Sequence, residues 1–166
     1  MMYKILFSLT IAIQLMYGQG KNEYPNYVGD ITFNKETDKE DFELCNENRI
    51  YQYFNNLGGL EYDGGKAAIE KSVYQQYQSA IIKNETGLIR INFVVNCKGE
   101  TDRFRLIAMD ENYNEKIFAP SITRQLMNIT KSLKGWKAKK IEGNEIDYYQ
   151  YLIFKIENGQ LKEILP

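Results

Sequence analysis

The apolar positions of this chain follow two different periods. Ile89, Ile91, Phe93 and Val95 alternate with Arg90, Asn92, Val94 and Asn96. That two-residue repeat predicts a strand with one face buried. Asn96-Cys97-Lys98-Gly99-Glu100 follows as a turn, in which Gly99 can take a positive φ. Phe104, Leu106 and Ala108 then alternate with Arg103, Arg105 and Ile107. The pair predicts an antiparallel hairpin, apolar on one face and basic on the other, as in a sheet covered on one side only. Ile122, Leu126, Ile129 and Leu133 are spaced for a helix that Pro120 opens and Gly135 stops. Trp136 comes next, and its ring is expected to cap the core. Residues 137–145 are predicted as a basic loop. Residues 148–156 are aromatic and β-branched, which predicts a strand. Asn158-Gly159 is a turn signal, so 161–165 can fold back as a short edge strand.

Upstream the pattern is weaker. Ile69, Val73, Tyr77 and Ala80 form the apolar stripe of a helix, with Glu70, Lys71, Gln75 and Gln76 towards water. Ile50, Tyr53, Phe54 and Leu57 also have helical spacing, ended by Gly58-Gly59. Residues 35–43 are densely charged and are predicted as a solvated loop. The fold class expected is α+β: a three-stranded antiparallel sheet with two amphipathic helices on one face. Residues 61–166 form that domain, and 21–60 form an N-terminal extension packed on it.

The first residues stand apart. Lys4 precedes an apolar run that includes Ile5, Leu6, Phe7, Leu9, Ile11 and Ile13, and small residues follow at Gly18 and Gly20. This is the pattern of a signal peptide, expected over residues 1–20. The run is shorter than the roughly 20 residues a membrane span needs. After cleavage no stable span is expected, and the product is expected to be periplasmic or secreted. In such a compartment the pair Cys45 and Cys97 predicts a disulfide.

Composition removes several chemistries. There are 21 basic and 22 acidic residues, a net charge of −1, and no His. The neutral balance argues against nucleic acid as a partner. The absence of His rules out Ser-His-Asp and Cys-His catalysis and any Cys/His zinc site. Asp38, Glu40, Asp41, Glu43 and Glu47 are plentiful carboxylates, but nothing fixes a pair at the separation glycoside hydrolysis requires. Asp63-Gly64-Gly65-Lys66 lacks the spacing of a phosphate loop. No catalytic residue, cofactor or metal is expected.

Tyr62 with Gly64-Gly65, residues 87–96, Lys98-Gly99-Glu100, Trp136-Lys137, Gly143 and Tyr151-Leu152-Ile153-Phe154 occur in an order that resembles the C-terminal domain of TonB-like energy transducers. The match is nearest to the divergent forms of Bacteroidetes-type bacteria, and it covers somewhat over half the chain. Ala138 and Gln78 stand where that family commonly has Pro. The resemblance implies the fold and a habit of binding other proteins, here an envelope protein or peptide. It also implies engagement by strand addition at a sheet edge, which residues 148–156 (Tyr151, Ile153 and Lys155) or the segment after Asn158-Gly159 would supply. A second candidate surface comes from the strand pattern: Arg90, Asn92, Arg103 and Arg105 share a face, with Tyr149 and Tyr151 alongside. Such a face can bind carboxylate, phosphate or a sugar ring. It would suit a secreted or periplasmic enzyme or inhibitor. A homodimer formed through the sheet edge is a third expectation.

Overall fold

The computed structural model describes residues 31–52, 60–79 and 84–165. The expected signal peptide lies outside them. The centre is the predicted hairpin, β2 (Gly87–Val95) and β3 (Thr101–Met109). Ile89, Ile91 and Phe93 are fully buried on one face of it. β5 (Asn144–Glu157) pairs antiparallel along the whole of β2, with Arg90 opposite Ile153 and Asn92 opposite Tyr151. So β2, β5 and β3 are the three antiparallel strands expected.

The sheet does not stop there. Three more short strands pair with β5. β1 (Ile50–Tyr51) runs parallel to it at Asp147 and Tyr148. β4 (Lys139–Ile141) pairs with its start, and β6 (Gln160–Leu165) with its end. The result is a six-stranded mixed sheet rather than a three-stranded antiparallel one. The expected helix at Ile50 is therefore corrected at its first turn. Ile50 and Tyr51 are extended, because β5 offers them a ladder. Tyr53, Phe54 and Leu57 lie outside the described residues. The basic loop at 137–145 is instead a hairpin. Glu142 and Gly143, both at positive φ, make its turn.

Two helices cover one face of the sheet. α1 (Gly65–Gln76) buries Ile69 and Val73, and α2 (Pro120–Ser132) buries Ile122, Leu126 and Ile129. Pro120 is at the start of α2, as its missing N–H allows. α1 is shorter than its stripe suggests. Tyr77 is already extended, and its hydroxyl donates to the Gly159 carbonyl, which fixes the helix end against the β5–β6 turn.

Trp136 closes the core as expected. It is 5% exposed. Its ring meets Tyr62 edge-on at 4.9 Å and Phe93 at 5.1 Å, and Phe93 stacks on Phe104. Such pairs add about 1 kcal/mol each beyond area burial. The β2–β3 turn leans on the same residue. Gly99 has φ +80°, and a Cβ there would lie 2.5 Å from the Trp136 carbonyl oxygen. Gly143 has φ +84° but open space around it. Gly143→Ala should therefore cost only the left-handed penalty of about 1 kcal/mol. Gly99→Ala adds a backbone clash and should cost at least twice as much. Urea unfolding of the oxidised protein measures both, and equal losses would refute the close approach.

Candidate functional site

The polar face of the sheet carries the residues singled out above, but the chain itself lies across it. Residues 34–51 form a belt from β3 to β5. At one end the Arg105 guanidinium grips Asp38 through two bonds of 2.7 Å, one to each carboxylate oxygen. The Lys39 N–H donates to Asp102 at 2.8 Å. Further along, Asn96 donates from its amide to the Glu43 carbonyl at 3.0 Å. Arg103 donates to Glu47 at 2.8 Å. The belt then joins β5 through β1.

One corner pins this arrangement. Cys45 and Cys97 are joined by a disulfide, with Cα atoms 6.1 Å apart. Asp147, fully buried, accepts the Asn46 N–H at 2.8 Å and the Cys97 N–H at 2.9 Å. The bridge spans 52 residues. Closing a loop of that length removes enough chain entropy for about 4 kcal/mol of stabilisation on the loop-closure model. The Cys45, Cys97 and Asp147 atoms are near enough to suggest a metal site. The sulfurs are bonded to each other, so they do not offer thiolate ligands.

The predicted ligand face is thus brought together but largely used internally. Arg103 and Arg105 both hold acids of the belt. Arg103 also sits in a bulge, with φ 57°, where the β2–β3 register shifts. The Arg90 guanidinium lies 4.2 Å over the Tyr151 ring, and its Nε donates to Asn92. Tyr149 is opposite Val94 on the same face. Glu47 is exposed, while Asp38 belongs to the stretch expected as a solvated loop. Asp38 is instead only 8% exposed. The sign it would have given in the sequence is the excess of Arg on a sheet face that needs acids.

The predicted edge is corrected. Ile153 and Lys155 pair with β2 on one side and with Leu165 and Glu163 of β6 on the other. β5 is interior there, because the Asn158-Gly159 turn folds β6 back onto it.

β3 is one outer edge of the sheet, opposite the side that carries β6. Residues 114–116 add a half-strand to its end, with Lys116 N–H donating to Ala108 O and Asp110 N–H to Asn114 O. Backbone groups alternate in direction along a strand. The Ala108 carbonyl points outward, so the Ala108 N–H and both groups of Leu106 do too. Among the described residues those three have no partner. Beside them runs a groove of about 560 Å³ between β3 and α2. Leu106, Ala108, Phe118 and Met127 line it, and Ile117 stands at its lip, 93% exposed.

Among the described residues no helix is long and apolar enough to cross a membrane. The chain matches no family model, no curated protein and no solved structure.

Burial pushes the Asp38 carboxyl up. Hydrogen bonds from Arg105, the Asn34 N–H and the Thr37 hydroxyl outweigh it and bring the pKa from 3.8 to about 2. A carboxyl with a lowered folded-state pKa stabilises fully above its unfolded value, and the stabilisation fades as pH falls through the folded value. Stability should therefore drop between about pH 4 and pH 2, by at most about 2 kcal/mol from this group. Asp38→Asn should lose stability at neutral pH and lack that part of the acid slope. Urea unfolding at a series of pH values measures it; an unchanged slope would contradict the pairing.

Proposed function

We propose that this chain is an exported, non-catalytic module of the cell envelope that binds another protein or peptide. The observation that carries the reading is the outer edge of β3, with its outward backbone groups beside an apolar groove. An extended segment can pair with such an edge and place alternate side chains in the groove. The arginine face is a poorer candidate. Asp38 and Glu47 already occupy Arg105 and Arg103, so the enzyme or inhibitor reading keeps only Arg90, which lies over the Tyr151 ring.

Export draws its support from two independent features. One is the charged-then-apolar start of the chain. The other is the Cys45–Cys97 bridge, since disulfides persist in oxidising compartments. The order β2, β3, α2, β5 is also the order the TonB-like resemblance implies. The resemblance points to residues 148–156 or to the segment after Asn158-Gly159 as the edge; in this chain β6 pairs with the end of β5, and the binding edge proposed is β3, on the opposite side of the sheet.

The full chain expressed in a Gram-negative host tests export. The product should be found in the periplasm, shortened by about twenty residues, with neither cysteine alkylated before reduction. A full-length cytosolic product with two reactive thiols overturns export. Binding is tested separately by display selection of random peptides on the oxidised protein. Enriched peptides should slow hydrogen exchange at the Leu106 and Ala108 amides. Peptides that leave those amides unchanged, or no enrichment, overturn binding at β3.

A further inference from the structure

Arg90, Arg103 and Arg105 stand on the sheet face that the belt crosses. Arg103 is paired with Glu47 and Arg105 with Asp38. Arg90 is partly buried and forms no ion pair among the described residues. Its guanidinium lies 4.2 Å from the centre of the Tyr151 ring, and its Nε donates to Asn92 at 2.8 Å. Nη1 and Nη2 donate to no group of the described residues. Burying a cation is costly unless an anion answers it. Burial pushes the Arg90 pKa below its ordinary value, and Tyr151 works against that shift without cancelling it.

The contact with Asn92 fixes the chemistry of what would complete the pair. A guanidinium has no acceptor, so Nε donates and the Asn92 side-chain oxygen accepts. The Asn92 Nδ2 group is then left as a donor, again with no acceptor among the described residues. Residues two apart share one face of a strand, so Arg90 and Asn92 present N–H donors side by side. The guanidinium leans towards β5, because Tyr151 is opposite Asn92 on that strand. Arg105, with Asp38 clamped to it, is opposite Asn92 on β3. Asp38 is thereby committed on the other side of β2.

Donors alone call for a group that only accepts. One uncompensated positive charge calls for a monoanion, and a carboxylate takes parallel N–H bonds from a guanidinium. Ile107 and Ile153 are the cross-strand neighbours of Arg90, share its face and are partly exposed. They suit an aliphatic body. We propose that Arg90 and Asn92 form a binding site for an organic monocarboxylate with an aliphatic body. The carboxylate accepts from the Arg90 Nη groups and Asn92 Nδ2, and the body packs on Ile107 and Ile153. The site is on the face away from α2 and its groove, so it stands apart from the binding reading above.

The test titrates four probes into the full oxidised chain: hexanoate, its neutral counterpart hexanamide, acetate, and acetyl-Ala-Leu with a free C-terminus. NMR of the Arg90 and Asn92 side-chain N–H groups reads site and affinity. Hexanoate should bind about tenfold tighter than hexanamide, which lacks the charge. Acetate should be several-fold weaker than hexanoate, because it has no body to bury. Arg90→Gln should weaken hexanoate about tenfold. Asn92→Asp builds a carboxylate beside Arg90 and should abolish binding, with the backbone amide spectrum showing the fold retained. Equal binding of hexanoate and hexanamide, or hexanoate binding that survives Asn92→Asp, overturns the site. Acetate binding as tightly as hexanoate overturns the aliphatic body. Shifts confined to the Leu106 and Ala108 amides move the acid to the β3 edge and also overturn the proposal. Tighter binding of the dipeptide than of hexanoate supports the site with a peptide C-terminus as the source. The reverse order supports it with a free acid.

Discussion

Asp147 accepts two backbone N–H groups, one from Asn46, which follows the half-cystine Cys45, and one from Cys97, the other half-cystine. This carboxylate and the disulfide beside it bring three distant segments to one point: the belt, the β2–β3 turn and the start of β5. A buried carboxylate is costly unless hydrogen-bonded, and here both oxygens are used. Neither partner is an optional side chain, so the belt cannot shift register without stranding the charge. β1 begins four residues after Asn46 and pairs at Asp147 and Tyr148. The belt is thus threaded into the sheet at one end and clamped to Arg105 at the other.

That placement decides what the sheet can offer. Residues 38–47 lay acids over the arginines of the polar face, where an open sheet would have presented a cationic surface. Bidentate Arg–carboxylate geometry is among the stronger charge-assisted contacts, and Asp38 is fully engaged in it. Neutral overall charge is therefore reached locally as well as globally. Among the described residues Arg90 forms no ion pair and lies instead over the Tyr151 ring. Charge that the sequence distributes evenly becomes uneven only after folding.

Much of this fold was legible in advance because each signal was local. Alternation located β2 and β3, Pro120 and Gly135 bounded α2, and Asn158-Gly159 announced the return of β6. Trp136 could be assigned to the core because a lone Trp between a helix stop and a strand has little else to pack on. The misreadings share a physical cause. Ile50 and Tyr51 have residues apt for strands within a helical spacing, and the parallel ladder on β5 decided between them. Residues 139–146 form a hairpin through a turn with Glu142 at positive φ, which no turn dipeptide advertised. Asp38 read as solvent-facing because its partner Arg105 is 67 positions away. A long-range ion pair leaves no periodic trace. The disulfide was legible only through compartment, and the groove only once α2 and β3 had been set side by side.

The two outer sides of the sheet are managed differently, and the contrast bears on what β3 is for. Unpaired edges invite uncontrolled strand addition, and proteins blunt them with short partners, bulges and charge. β5 is flanked on its far side by β1 and β6. β3 is blunted only at its ends. The bulge at Arg103 turns the ladder aside at one end, and residues 114–116 occupy it at the other. Between them Leu106 and Ala108 are left with outward groups. That window is too short to template a long flat strand, which is what aggregation requires. It is long enough to set the register of one short segment, since a single paired residue places its neighbours on alternate faces. A chain that only needed protection would have continued the half-strand two residues further. Instead it turns away at Ile117, puts that side chain in solvent, and leaves Phe118 at the floor of the groove.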